Sequence, residues 1–452
     1  MKKSCIEYFK IRKLHGHKDV NISFGDPYKI LVSENGQGKT TILKIIDAAL
    51  NCNIQKLRNI NFESIEIKFS DLASPISISK SELEYDWESR AYKHVASRLS
   101  AEKFASVLEV ISTESTQKQI LSKVRDLVSD SKLYASNHSM RNIQSTSVSM
   151  MAVRELIEEK ESLLLNMKQM EFFNSIRENF KYQTLYLPTY RRIEDLITTF
   201  NVEKDSPGHE YIRFGLLDVE EKLESIKKEI LTSSNDSMSR INGEILTRLV
   251  NGLAVNDEDR SVITNNSELI ELVLNRFGRS LSIADKGRIV ELVRSKQEIK
   301  KKKNDTLIYF LSKMYSAFFE QREKDRALSK FSEICTNYFV NKEMTYDETT
   351  ITVAITCLQS GSAIKFGDLS SGEKQIVSLF SRLILERGND YFVLFDEPEL
   401  SLSVEWQKRL MRDVIGSESC GMLLAMTHSP FIFSGLTNYT ADLKSSFVLE
   451  AC

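Results

Sequence analysis

The chain opens with apolar and polar residues in alternation, in Ile6-Glu7-Tyr8-Phe9-Lys10-Ile11 and again in Val20-Asn21-Ile22-Ser23-Phe24. A period of two puts alternate side chains on one face, so both segments read as strands, and the apolar run Ile30-Leu31-Val32 reads as a third. Asn35-Gly36-Gln37-Gly38 breaks the pattern as a turn. From Thr41 to Leu50, Ile42, Leu43, Ile45, Ile46, Ala49 and Leu50 recur at helical spacing, which makes the order strand, loop, helix. Ile65 to Phe69 alternates again, and the stretch that follows to about Tyr182 is poor in glycine and proline and mostly helical in pattern, with a serine-rich middle. Leu185-Tyr186-Leu187 reads as a strand ending at Pro188. Leu216, Val219, Leu223, Ile226 and Ile230 then alternate spacings of three and four, the seam of a coiled coil or tight bundle. A charged helical region from Arg288 to Asn337 contains Lys300-Lys301-Lys302-Lys303 and an apolar cluster around Phe310, Tyr315, Phe318 and Phe319. Together these two regions predict an inserted helical hairpin or small bundle, whose seam either closes on the chain's own second helix or stays open for a partner. Strand pattern resumes over Thr350 to Ile355, and from Gly367 helix and strand alternate to the end, as in an α/β layer.

Composition narrows the class more than it identifies it. With 452 residues, 41% of them hydrophobic, the chain can bury a large core in about two or three domains. Its 61 basic and 63 acidic residues give a net charge of -2, so no chain-wide field draws it to nucleic acid or membrane, although a local basic patch stays open. No apolar run reaches the roughly 18 to 20 residues needed to cross a bilayer, and the charged N-terminus does not fit a signal peptide, so the expected location is the cytoplasm. The six cysteines form no CxxC pair, which predicts reduced thiols rather than a zinc site or a disulfide framework.

The chemistry is concentrated in four places. Ser33-Glu34-Asn35-Gly36-Gln37-Gly38-Lys39-Thr40 lies between a strand and a helix and matches the P-loop pattern, with Ser33 in place of its first glycine. Gly36 and Gly38 let backbone N–H groups close around a phosphate, Lys39 adds a point charge, and Thr40 can hold Mg²⁺. Asn35, Gln37 and Thr41 complete the expected phosphate-binding set. Tyr391-Phe392-Val393-Leu394-Phe395-Asp396-Glu397-Pro398 is an apolar run ending in two acids, as expected of a buried parallel strand with a Walker B edge. There Asp396 would support Mg²⁺, and Glu397 would orient or deprotonate the attacking water. Between these motifs stands Leu369-Ser370-Ser371-Gly372-Glu373 before a helix, which by itself reads as an N-cap. Met422 to Met426 reads as another strand, leading into Thr427-His428-Ser429-Pro430.

The pentapeptide at Leu369 resembles the LSGGQ signature of ABC ATPases, with Ser371 replacing a glycine and Glu373 standing for glutamine. The resemblance implies an α/β fold, a P-loop ABC-type ATPase head with a long helical, coiled-coil-like insertion. Residues 1–200 and 346–452 would form the head and 201–345 the insertion. It implies ATP and Mg²⁺ as cofactors and a head-to-tail dimer with ATP between the copies, in which Ser370 and Gly372 meet the γ-phosphate held by the other copy. His428 resembles the switch histidine, and Leu400-Ser401-Leu402-Ser403 stands where the D-loop touches the opposite copy. Arg191 and Arg192 either face nucleotide or the dimer seam, as paired guanidiniums suit, or form an exposed basic turn.

Roughly 330 residues separate Thr40 from Ser370, far more than the order of a hundred in transporter ATPases. With no membrane span, this layout resembles the SMC, RecF and OLD branch, without a zinc hook and with only a short tail after His428 where OLD nucleases carry a Toprim domain. The phrases Tyr186 to Arg192, Asp396 to Leu402 and Thr427 to Phe431 look like those of stand-alone ATPases of bacterial anti-phage operons. PARIS is the most similar in layout, with Septu and retron-associated ATPases close behind. That resemblance implies a higher oligomer such as a hexamer, a phage-encoded trigger and a separate nuclease effector, of Toprim type in PARIS. The competing expectation is an ATPase of DNA repair or chromosome maintenance that clamps DNA.

Overall fold

The computed structural model describes residues 4–84, 90–113, 117–129, 150–188, 216–251, 255–277, 281–386, 388 and 390–448. It divides into two compact units, Met1–Thr184 with Ala441–Cys452, and Leu185–Thr440. Arg191, Arg192 and the serine-rich stretch 130–149 lie outside the described residues.

In the first unit, β1 (Ile6–Leu14), β2 (Lys18–Ser23), β4 (Ser64–Phe69) and β5 (Ile76–Ser79) form an antiparallel sheet in the order β2-β1-β4-β5, extended beside β2 by Phe447–Val448. Phe9 pairs with Ile22 and Ile67, and Ile11 with Val20 and Ile65. The alternation in the sequence therefore lines up across three strands as one buried face. β5 has no sequence signal beyond Ile76-Ser77-Ile78-Ser79, which is too short to stand out. β3 (Tyr28–Val32) leads through the glycine loop into α1 (Lys39–Leu50), whose Ile42, Ile45, Ile46 and Ala49 are buried. α2 (Ile54–Arg58) follows α1, and the helical stretch beyond β4 resolves into α3 (Lys80–Glu84), α4 (Arg90–Ala96), α5 (Ala101–Thr113), α6 (Gln117–Ser129), α7 (Met150–Glu158) and α8 (Lys160–Asn179). Val95, Val107, Ile111, Val124, Val153 and Leu163 give it a core of its own. The predicted strand before Pro188 follows as β6 (Gln183–Leu187).

The second unit is dominated by two long helices, α9 (Leu217–Asn251) and a partner of nearly equal length. Between them come α10 (Asp257–Asn265), α11 (Ile270–Phe277), α12 (Ile283–Arg294) and α13 (Lys296–Ile299), and then the partner itself, α14 (Asp305–Thr336). Glu229 meets Lys324, Ser234 meets Gln321 and Glu244 meets Tyr309, so the two long helices run antiparallel. Leu216, Val219, Ile226 and Ile230 are buried. Of the two readings left open, the seam is the one that closes within the chain. About two thirds of the way along α14, Arg276 grips Asp325 with two hydrogen bonds of 2.8 and 2.7 Å, both side chains being fully buried, and Tyr346 bonds to the same carboxylate. Tyr346 belongs to β7 (Lys342–Asp347), which forms an antiparallel sheet with β8 (Thr352–Cys357) and β9 (Ala363–Ile364).

The remaining layer is the α/β alternation expected from Gly367: α15 (Ser371–Phe380), β10 (Tyr391–Asp396), α16 (Val404–Ile415) and β11 (Cys420–Thr427). β10 and β11 pair in parallel and are buried along their whole length, which explains why both read as unbroken apolar runs. Together these elements match a P-loop ATPase head carrying a helical insertion. No helix among the described residues is long and apolar enough to cross a membrane.

Candidate functional site

The loop residues 33–41 belong to the first unit, whereas Ser370, Gly372, Asp396, Glu397 and His428 belong to the second. In the loop, Gly36 and Gly38 have φ of 81° and 93°, a left-handed backbone that any residue with a Cβ adopts only at a cost. Gly38 caps α1 without a side chain, so the backbone approaches the helix start unobstructed and the first-turn N–H groups face the loop. Lys39 is only 6% exposed, and its ammonium donates to the carbonyls of Ser33 and Glu34, each at 3.3 Å. The Ser33 hydroxyl and Gln37 Oε1 are buried with no protein partner among the described residues. Asn35 lies exposed on the rim, and Thr40 and Thr41 begin α1 behind Lys39. Glycine cradle, buried ammonium and helix start are the parts a phosphate chain requires, so the loop fits a nucleotide.

In the second unit β10 delivers Asp396, buried, and then Glu397 at its C-terminal edge. Glu397 has φ of 54°, in the left-handed region and directly before Pro398, a doubly disfavoured backbone. Its N–H donates to the carbonyl of Met426, which ties the turn to β11. His428, one residue beyond β11, sets Nδ1 2.5 Å from Glu397 Oε2 and 2.8 Å from Glu399 Oε1. Ionised carboxylates only accept, so Nδ1 carries the proton between them and Nε2 is the ring's remaining polar atom. The imidazole is 44% exposed, and Glu399 beneath it is buried. The expected pair Glu397 and His428 is thus brought together.

Ser370 caps α15. Its Oγ accepts from the N–H of Glu373 while the Glu373 carboxylate accepts from the Ser370 N–H, a reciprocal capping box. The N-cap reading and the signature resemblance therefore describe the same residue: Ser370 is exposed at the start of a helix. A Cβ on Gly372 would stand 2.6 Å from the carbonyl oxygen of Ser401, so glycine is what lets α15 touch the turn at Ser401. Ser401 has φ of 66°, and Ser403 caps α16.

Two residues here escape sequence reasoning. Glu399 accepts from the Thr427 hydroxyl at 2.7 Å and the His428 N–H at 2.9 Å, besides its contact with the ring. Its place in Asp396-Glu397-Pro398-Glu399 was the available signal. Lys342 donates to both oxygens of Glu373, at 3.0 and 2.8 Å, and no motif points to it.

The AAA ATPase domain family matches residues 5–433 of the chain. No curated protein matches it. Among solved structures, it is similar to the Smc head domain with an extended coiled coil bound to the C-terminal domain of ScpA from Pyrococcus furiosus. The identity there is 13% over 95% of this chain and 91% of that one, with a TM-score of 0.36. It is also similar to the Smc head domain with a coiled coil and joint from Pyrococcus yayanosii, at 15% identity over 95% and 93% and a TM-score of 0.31.

Proposed function

The chain belongs to the AAA ATPase domain family and is an ATPase; from that premise we propose that it hydrolyses ATP at a site completed by a second copy of itself. The β- and γ-phosphates rest on the loop, where Asn35, Gly36, Gln37, Gly38 and the helix start at Thr41 offer N–H groups and Lys39 offers charge. Thr40 and Asp396 are hard oxygen donors that suit Mg²⁺, which when bound neutralises phosphate charge. Glu397 orients the attacking water and takes its proton, and His428 contacts the γ-phosphate through Nε2. Ser370 and Gly372 meet that phosphate from the other copy. Arg191 and Arg192 are assigned to the nucleotide or the dimer seam.

The observation that carries this reading is the His428 ring held against Glu397 and Glu399 at the exposed edge of a buried parallel pair. Glu397→Gln should bind ATP normally, turn over at least about a hundredfold slower, and accumulate an ATP-bound dimer. Normal turnover in that variant would remove the carboxylate from the mechanism. A mixture of inactive Lys39→Ala and Ser370→Arg should regain activity, because a mixed dimer contains one intact site. A mixture that forms mixed dimers yet stays inactive argues against a shared site.

For the output, the reading is an ATP-gated sensor or scaffold in anti-phage defence, assembled beyond the dimer, answering a phage-encoded protein and controlling a separate nuclease. Its support is the likeness of the phrases around Tyr186, Asp396 and Thr427 to stand-alone defence ATPases. The second reading, an ATPase that clamps DNA, is favoured by the exposed run Lys300-Lys301-Lys302-Lys303. Recovery of the tagged chain from its native operon, with the mass of the complex measured, tests the first. The second requires salt-dependent duplex binding that weakens when these lysines become glutamates.

A further inference from the structure

Lys342 opens β7, outside every motif described above. Its ammonium holds both oxygens of Glu373, whose carboxylate is nearly buried. The same carboxylate oxygen, Oε2, accepts from the N–H and from the hydroxyl of Ser370, each at 2.8 Å. A full negative charge therefore sits within hydrogen-bond reach of the hydroxyl proposed to meet the γ-phosphate. That is an unfavourable neighbour for an incoming anion, because two like charges at such separations repel strongly outside bulk water.

Resting on that reading of Ser370, we infer that Lys342 is a positioning residue that neutralises Glu373, so that the start of α15 can receive the phosphate of the other copy's ATP. When the Ser370 hydroxyl turns its proton from Glu373 to a phosphate oxygen, Glu373 keeps both bonds from Lys342 and the N–H of Ser370. The charge at the helix start then comes from the peptide dipoles alone, and these favour an anion. β7 is suited to hold the ammonium in place. Four residues along the strand, Tyr346 is bonded to the buried Asp325, which Arg276 grips from α11. α15 is thereby tied, through one strand, to α14 of the helical hairpin.

The test is a double-mutant cycle on the full chain, read as ATP turnover at saturating ATP, with nucleotide binding and thermal melting measured alongside. Lys342→Ala should lower turnover at least about tenfold in the natural background, with nucleotide binding unchanged. In the Glu373→Gln background, where no carboxylate needs neutralising, the same change should cost less than about twofold. Equal losses in the two backgrounds, or no loss in the natural one, overturn the inference. If Lys342→Ala alone does not fold, the Glu373→Gln pair decides: a loss beyond about twofold there still refutes it. Undiminished turnover in Ser370→Arg would instead remove the shared-site reading beneath it.

Discussion

Glu399 collects three polar groups from the end of β11: the Thr427 hydroxyl, the His428 N–H and the His428 ring. A buried carboxylate whose acceptors are filled this way fixes its donors, because releasing any of them strands charge away from water. Glu399→Gln keeps the volume but loses one acceptor, so His428 should slacken against Glu397. We expect kcat to fall about tenfold, KM for ATP to change little, and stability to drop by about 1–3 kcal/mol. Steady-state kinetics with a urea melt checks both parts, and an unchanged kcat in a folded variant rejects the positioning role. The contrast with Lys39 shows what a sequence reveals about single residues. Lys39 was legible because glycines at 36 and 38 and a helix start announce it locally. Glu399 acts on a residue 29 positions further on, and among four consecutive residues with three acids nothing in the pattern separates an organiser from a solvated turn.

For the elements, the first turn of α15 is the most constrained. Gly372 stands where a Cβ would meet the Ser401 carbonyl at 2.6 Å and the Trp406 ring at 3.1 Å, and a backbone carbonyl cannot swing aside as a side chain can. Gly372→Ala should therefore push α15 off the Ser401 turn, cost about 1–3 kcal/mol by thermal melting, and impair the proposed ATP-dependent pairing before nucleotide binding. Undisturbed stability would place the two segments further apart. Burial pushes the Glu373 carboxyl up, but Lys342 and Ser370 more than offset it and hold it below the ordinary value. A depressed folded value means that the contribution is present above the ordinary carboxylate range and is lost as pH falls through the folded value. Wild type should thus lose more stability than Glu373→Gln on acidification from about pH 5 downward. Parallel loss in the two proteins would show the pair to be silent. β10 and β11 were legible as elements because burial on both faces leaves unbroken apolar runs. β7 was not: Lys342 and Tyr346, which flank Met344 on one face, satisfy ion pairs and hydrogen bonds instead of filling an apolar core, so the period-two signal is missing.

In the molecule as a whole, the helical insertion poses the question that periodicity cannot answer, since a stripe tells which face is covered but not by what. Leu216, Val219, Leu223, Ile226 and Ile230 fit an internal hairpin and a docking seam equally well as a pattern. The antiparallel course of α14 supplies the cover, and the buried pair Ser234 and Gln321, 3.2 Å apart, fixes the register from within. Moving either helix by one turn would part the Gln321 amide from Ser234 and from the Ile230 carbonyl, while the Ser234 hydroxyl keeps its bond to that carbonyl, so the cost of a slip falls on the buried Gln321. The consequence is a test by charge. Ile230 is fully buried, so Ile230→Asp places an acid opposite α14 with no partner, a change expected to cost about 3–5 kcal/mol. Because α14 also carries Asp325, the anchor of Arg276 and Tyr346, the damage should spread to β7 and lower the melting temperature of the whole second unit. Nucleotide binding should fall only in proportion to the unfolded fraction. A docking seam would behave in the opposite way, giving a normally melting protein that has lost an oligomeric contact or a partner. Thermal melting and the mass of the assembled species, measured on the same sample of Ile230→Asp, separate the two: a wild-type melt with a smaller assembly would mean that the seam faces another chain after all.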